Sequence, residues 1–274
     1  MHDRYKFTIL GCGSSPGVPR ANGDWGACNP DNPKNYRYRA SILIERIKEN
    51  GERTTVVVDT GPDFRSQMVD HNVHEITSVV YTHPHADHIH GIDDLRTYAI
   101  SQHHLMNVYA DDETYQRLYE AFGYCFKTPE GSNYPPILNR EKIIPYEKFT
   151  IDGKGGSITL MPVLQIHGDI HSLGFRLDNV AYCTDVNEFP EKTPQYLENL
   201  DVLIIGALQY RPHPSHFSVD QAVEWGRKLN AKRVILTHMH IALDYDEVMK
   251  YTPDNVEPAY QGLTFEVDAK SAIE

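Results

Sequence analysis

The sequence predicts a layered α/β fold with packed sheets. Three observations carry that expectation. Strand-like runs recur along the whole chain, helical patterns are fewer and stand between them, and no period of roughly 20 to 50 residues repeats. The strand runs are KFTIL, SILIERI, TTVVVD, SVVYT, NVYA, SITLMPV, LGFRL, VAYCTD, DVLIIG and RVILTH. Several are rich in β-branched residues and bounded by Gly, Pro, Asn or Asp, the composition of strands between turns. Helices are expected in GPDFRSQMVDH, DDETYQRLYEAFGY and SVDQAVEWGRKLN. In the last of these Ser218 is a natural N-cap, and Val219, Ala222, Val223 and Trp225 follow at helical spacing.

No low-complexity linker divides the chain, so residues 1–274 are expected to form one domain, long enough to bury a sizeable core. The segment from Cys12 to Arg39, with Pro16, Pro19, Pro30 and Pro33, reads as an ordered surface loop. The irregular stretch KTPEGSNYPPILNR is expected to cover a site or join a partner, and a homodimer is the expected assembly.

Composition narrows the function classes. Lys and Arg total 26 against 38 Asp and Glu, a formal charge of −12 that repels polyanions; nucleic acid is thus a disfavoured partner, and a small anionic substrate is compatible. No run of about 18 apolar residues occurs, so no membrane partner is expected. The opening MHDRYKFTILGCG lacks the basic and apolar regions of a secretory signal, and a cytoplasmic location is expected. Cys12, Cys28, Cys125 and Cys183 lie far apart with no CxxC pair, which argues against a disulfide framework and for buried or incidental thiols.

Two short stretches mimic other chemistries. GCGSSPG resembles a phosphate-binding loop, but Pro16 and Pro19 forbid the helix that a dinucleotide fingerprint must open; its glycines are expected to turn the backbone tightly beneath a site. DTG at Asp59–Gly61 resembles half of an aspartic protease, yet that chemistry needs a second carboxylate and no second DTG exists. Asp59 is expected instead to orient a metal-bound histidine.

The stretch YTHPHADHIHGIDDLR, residues 81–96, holds the chemistry. It follows the apolar run SVVYT, at the carboxyl end of a strand where α/β proteins place ligands. Alternating His83 and His85 can converge on one ion while Asp87 and His88 turn toward a second. Imidazole with carboxylate suits Zn²⁺, Mn²⁺ or Fe²⁺.

With these residues and the motifs that follow, the chain resembles the metallo-β-lactamase-fold hydrolases. His167 in PVLQIHG, Asp185 closing VAYCTD and His238 ending RVILTH occur in that family's order. The resemblance implies a four-layer αββα sandwich. It assigns His83, His85 and His167 to one divalent metal, Asp87, His88 and His238 to the other, with Asp185 shared; the two ions are expected to be Zn²⁺ or Mn²⁺. TILGCGSSPGVPR, VDTGPDFR, HADHIHGIDDLR and SHFSVDQA are similar, more narrowly, to the phosphodiesterase branch containing phosphoribosyl cyclic phosphodiesterases. In that branch the histidine matching His216 lies near the scissile phosphate. Relatives can carry a structural zinc on clustered cysteines after the first strand. Here that loop keeps only Cys28 beyond Cys12, and no structural zinc is expected. His167 is preferred to His171 because it ends a strand run, whereas His171 follows a polar turn. His90, His103, His104, His171, His213 and His240 are expected at the surface or in supporting positions, with His171 and His240 the open cases.

The implied activity is hydrolysis of a small phosphodiester, a cyclic ribose phosphate or nucleotide. Two cations roughly 3.5–4 Å apart can hold a water as hydroxide and polarise a phosphoryl oxygen. His216 is expected to protonate the leaving oxygen, and Asp87 to hold the nucleophile's proton while ligating. Arg37 and Arg39 in NYRYR are expected as phosphate clamps. The competing classes are a tRNA 3′-processing nuclease, an acyl or thioester hydrolase of the same fold, and a non-catalytic metal-binding protein.

Overall fold

The computed structural model describes residues 3–269. The first half of the chain lays down β1 (Arg4–Gly11), β2 (Ser41–Ile47) and β3 (Arg53–Val58) as antiparallel neighbours. Next come β4 (Ser78–Val80), β5 (Met106–Ala110) and β6 (Leu138–Lys142), each parallel to the strand before it. Helices α1 (Phe64–Asp70), α2 (Ala86–Ile89), α3 (Leu95–Gln102) and α4 (Asp112–Phe126) fill the crossovers. The second half starts with an antiparallel run, β7 (Phe149–Ile151), β8 (Ile158–His167), β9 (Ile170–Leu177) and β10 (Val180–Cys183). It continues in parallel through β11 (Val202–Gly206), β12 (Arg233–Thr237) and β13 (Val256–Pro258), with α5 (Val219–Lys228) and α6 (Tyr245–Tyr251) between them. Finally β14 (Thr264–Asp268) returns to pair with β1. Two seven-stranded sheets result, ordered β14-β1-β2-β3-β4-β5-β6 and β13-β12-β11-β10-β9-β8-β7.

The period of two along each strand decides the layers. Val56 and Val58 of β3 join Ile42 and Ile44 in a core completed by Leu173, Phe175 and Ile204 of the other sheet. Val57, between them, packs instead with Leu43, Phe64, Met68 and Leu118, under α1 and α4. On the far side Val219, Ala222 and Val248 bring α5 and α6 onto the second sheet. The order is helix, sheet, sheet, helix, the αββα sandwich expected. Ser218 caps α5 as the sequence suggests: its hydroxyl accepts the Gln221 N–H, and the Gln221 side chain accepts the Ser218 N–H.

The loop after β1 is ordered and lies on the carboxyl end of β12, where Gly13 bridges to Met239 and the Ser14 N–H donates to the Met239 carbonyl. A Cβ at Gly11 would stand 2.0 Å from the Arg39 carbonyl oxygen, so close backbone approach is what this glycine provides. The four cysteines are free and buried. The hydrogen bonds of KTPEGSNYPPILNR run within itself, back to α4 (Ile137 N–H to the Cys125 carbonyl) and to β5 (Met106 N–H to the Ile137 carbonyl), and its end opens β6. Among the described residues, no helix is long and apolar enough to cross a membrane.

Candidate metal centre

The ends of β3, β4, β8, β10 and β12 converge, and each brings a polar side chain to one place. Asp59 follows β3, His83 lies in the loop after β4, His167 closes β8, Asp185 lies just past β10 and His238 directly follows β12. The single turn of α2 adds Asp87 and His88, and His85 is its N-cap. Asp59, Asp185 and His238 all adopt left-handed backbone angles, φ 66°, 46° and 56°. Such conformations cost non-glycine residues about 1–3 kcal/mol each and persist where the surroundings fix them.

Two groups of four side chains form, with ligand atoms within 4.8 Å of one another: His83, His85, His167 and Asp185, and Asp87, His88, Asp185 and His238. Asp185 belongs to both. Its Oδ2 lies 3.7 Å from His83 Nε2 and 3.6 Å from His167 Nε2, while its Oδ1 lies 3.4 Å from His88 Nε2 and 3.0 Å from His238 Nδ1. His85 Nδ1 completes the first group, 3.1 Å from His83 Nε2 and 3.2 Å from His167 Nε2.

Neighbouring groups set the direction of three rings. Asp59 Oδ2 accepts the His88 Nδ1–H at 2.7 Å, and Asp59 also accepts from the N–H and hydroxyl of Thr82. Thr82 Oγ1 is 2.9 Å from His83 Nδ1, and the Ser215 carbonyl accepts the His167 Nδ1–H at 2.6 Å. With Nδ1 engaged, each of these rings turns Nε2 to the centre. Asp87 Oδ2, His88 Nε2 and both ring nitrogens of His238 are buried without a hydrogen-bond partner. Buried polar atoms left unpaired are costly, and here they converge as nitrogen and carboxylate donors. A divalent cation satisfies such a set, so the residues fit the metal that the fold implies.

The electrostatics agree. Burial and the neighbouring His88 push His83 well below the ordinary imidazole range; burial also lowers His85 and His238. Burial opposes a charge on His88 as well, but Asp185, Asp87 and Asp59 outweigh it and hold that ring protonated well above its usual value. Burial likewise opposes ionisation of Asp185 and Asp87, yet the imidazoles around them keep both carboxyls ionised far below the normal range. A cation held there would have to displace a proton from His88.

His216 stands outside both groups. Its ring lies 4.6 Å from that of His167 and stacks on His238 at 4.8 Å, with Nδ1 4.0 Å from Asp185 Oδ2. Burial, with His238 beside it, lowers its pKa to about 3.

Of the two arginines placed by sequence, Arg37 is corrected. Arg37 is buried, its Nη2 donating to the Leu243 carbonyl at 2.7 Å and to Asn35 Oδ1 at 3.1 Å, and its Nη1 to the His240 carbonyl at 3.4 Å. Arg39 donates from Nη1 to Asp63 Oδ1 at 3.0 Å. The first guanidinium pins the early loop to the chain beyond His238, and the second is tied to the start of α1. Arg37 is not free to clamp a phosphate, whereas Arg39 keeps a side chain 29% exposed beside its Asp63 pair. His171 is exposed on β9, cross-strand from Ile166, and His90, His103 and His104 are also exposed. Thr82 and the Ser215 carbonyl were not legible beforehand, because nothing in a lone threonine or a backbone carbonyl marks it in sequence.

A family description, the beta-lactamase superfamily domain, matches residues 54–239, a span that contains every residue of both groups. The chain belongs to this superfamily. Among its relatives, an octanoyltransferase of Porphyromonas gingivalis (strain ATCC BAA-308 / W83) is 30% identical over 266 residues, 96% of this chain and 51% of that protein. The chain thus spans about half the length of that curated relative. The crystal structure of a diphosphatase from the PhnP family has a TM-score of 0.86 at 31% identity, covering 98% of this chain and 99% of that one. The metallo-β-lactamase-fold protein YhfI of Bacillus subtilis gives 0.73 at 18% identity over 97% and 100%, a likeness of fold. The protein has the metallo-β-lactamase fold, and its histidine and aspartate clusters are suited to divalent metal.

Proposed function

We propose that this protein is a dinuclear metal-dependent phosphodiesterase acting on a small phosphodiester, a cyclic ribose phosphate or a nucleotide. The observation that carries the reading is Asp185, common to both four-residue groups, with His216 beside it but outside them. His83, His85, His167 and Asp185 would hold one ion, and Asp87, His88, His238 and the shared Asp185 the other, as Zn²⁺ or Mn²⁺. Bound there, the ions supply an activated water and stabilise charge on the phosphoryl oxygens.

The chain's own residues do the rest. Asp87, kept ionised by His88, has two carboxylate oxygens, so one can ligate while the other takes the proton of the attacking water. Asp59 and Thr82 hold His88 and His83 in register. Burial and His238 hold the His216 ring neutral. An anionic phosphoryl group beside it would raise its basicity, so that it takes a proton from water and returns to imidazole by giving that proton to the leaving oxygen. The net charge of −12 agrees with a small substrate better than with a polyanion. The name of the 31% identical diphosphatase also points to cleavage at phosphorus.

A second reading, acyl or thioester hydrolysis, draws support from the octanoyltransferase relative. One screen separates them. Metal-free protein reloaded with Zn²⁺ or Mn²⁺ is assayed on bis(p-nitrophenyl) phosphate, cyclic nucleotides, an octanoyl thioester and precursor tRNA. The small phosphodiesters should be cleaved fastest. Faster turnover of the thioester, or of the tRNA, would replace the proposal.

A further inference from the structure

We propose that Thr184, braced from behind by Gln165 and Ser172, is a positioning residue: its hydroxyl holds the Asp185 carboxylate across both ligand groups, and the ion on the side of Asp87, His88 and His238 depends on it. The proposal rests on the dinuclear part of the phosphodiesterase reading and deepens it.

The Thr184 hydroxyl lies 2.7 Å from Asp185 Oδ1. A carboxylate that ligates a cation is ionised and only accepts, so the hydroxyl donates. The oxygen it engages is the one that faces His88 Nε2 and His238 Nδ1, at 3.4 and 3.0 Å. Asp185 Oδ2 is left to face His83 and His167. One donor on one oxygen thus sets the rotation of the carboxylate. That rotation decides whether Asp185 reaches both groups or leans on one. The donor is itself stiff, because branching at Cβ restricts χ1.

The backbone beneath is fixed by a second set of bonds. Gln165 Nε2 donates to the Thr184 carbonyl at 2.9 Å and to Ser172 Oγ at 3.0 Å. An amide nitrogen cannot accept, so Ser172 Oγ accepts there and gives its own proton to the Asp185 carbonyl at 2.7 Å. The direction of every bond from Gln165 through Ser172 to Asp185 is therefore determined. Together they hold the carbonyls of Thr184 and Asp185 where the Asp185 backbone turns left-handed, at φ 46°.

Gln165, Ser172 and Thr184 are all buried. Gly174 of β9 leaves room for the amide: a Cβ there would stand 2.7 Å from Gln165 Oε1, beside the Cys183 and Val163 side chains. Polar groups in such a place are costly unless bonded, and Gln165 Oε1 has no partner at all. Gln165 and Ser172 at least satisfy backbone carbonyls, as the buried end of a strand requires. The Thr184 hydroxyl does something else, since it goes to the carboxylate of its neighbour and not to the backbone. Its removal orphans no backbone group, so the fold should tolerate the loss while the carboxylate does not.

The test titrates metal-free protein with Mn²⁺ against a chromophoric chelator, for wild type, Thr184→Val and Thr184→Ser. Electron paramagnetic resonance is recorded with Mn²⁺ added in the amount that fills the wild-type protein. Wild type should bind two ions and give the signal of a magnetically coupled pair. Thr184→Val, of the same shape without the donor, should hold one ion at wild-type affinity, lose roughly 10- to 100-fold on the other, and give the signal of isolated ions. Thr184→Ser should restore both affinities and the coupling. Thermal unfolding in excess chelator should match wild type in both variants, which separates positioning from folding. Thr184→Val protein that binds two ions with unchanged affinity and a coupled signal overturns the proposal. So does an equal loss on both ions that Thr184→Ser fails to restore. Should Thr184→Val not fold, Thr184→Ala takes its place with the same outcomes. If wild type binds a single ion, the dinuclear reading fails and the affinity of that ion decides. A fall in Thr184→Val that Thr184→Ser regains supports the positioning role, and no change overturns it.

Discussion

Asp59 and His88 are joined by a fully buried hydrogen bond of 2.7 Å, imidazole Nδ1–H to carboxylate Oδ2. The bond decides which nitrogen of His88 is left for a cation. Nε2 then faces Asp87 Oδ2 at 3.3 Å and Asp185 Oδ1 at 3.4 Å. Asp59→Asn keeps the size of the group but puts an amide donor within reach of Nδ1–H, so the proton tends to move to Nε2. Metal affinity should fall roughly 10- to 100-fold, read by competition with a chromophoric chelator. Unchanged affinity would show that His88 needs no help to present Nε2.

Asp185 links the two groups, and its loss should be felt by both. Wild-type protein purified without chelator should approach two divalent ions per chain by elemental analysis. Asp185→Asn and His83→Ala should each lower that stoichiometry and abolish hydrolysis. Full activity in metal-free Asp185→Asn protein would remove the dinuclear reading.

How much of this was legible in the sequence follows from where each residue gets its information. All ten strand-like runs became strands, because apolar β-branched residues between turn formers carry a local signal. The four strands missed, β6, β7, β13 and β14, are short or charged, like LNREK. Their pairing is set by a neighbouring strand rather than by their own residues. Helix α6 was also missed, although Asp244 caps it through the Asp246 and Glu247 N–H groups, a signal that was there to be read. His83, His85, Asp87 and His88 could be anticipated because those residue types at that spacing have few other uses, whereas His167, Asp185 and His238 stand far apart and were placed by the family resemblance alone. Arg37 was misread, since NYRYR looks like an exposed basic loop. Only the folded chain shows that the Leu243 and His240 carbonyls, more than 200 residues away, receive its guanidinium.

The metal-free protein should lose stability as the pH falls from 7 to 5. Burial lowers the pKa values of His71, His83, His85, His216, His238 and His240 from 6.5, that of His216 to about 3. In the unfolded chain these groups take up protons near 6.5, so through this window it binds more protons and acid favours unfolding. His88 acts the other way: its raised pKa gives stability that is fully present below 6.5 and is lost as the pH rises through the folded value. Asp59, also raised, has the same sign. Six lowered groups outnumber these two. Thermal unfolding in excess chelator at pH 7, 6 and 5 checks the direction, and a Tm that rises on acidification would contradict it. Saturating divalent metal should raise Tm strongly at pH 7 and weakly at pH 5, where protons compete for the ligand nitrogens.

His216 offers the sharpest separation of metal holding from proton transfer. It precedes α5, stacks on His238 and lies 4.0 Å from Asp185 Oδ2, yet it belongs to neither four-residue group. His216→Ala should therefore keep its metal while losing roughly 10²–10⁴-fold in rate, the usual contribution of a general acid. The loss should shrink for esters whose leaving group departs without a proton, such as p-nitrophenolate, and be largest for an alkoxide. A variant that loses metal would make His216 a ligand and reopen the assignment of His167 or His238. An equal loss for good and poor leaving groups would instead mean that His216 binds the phosphoryl group, as the neutral donor its lowered pKa favours.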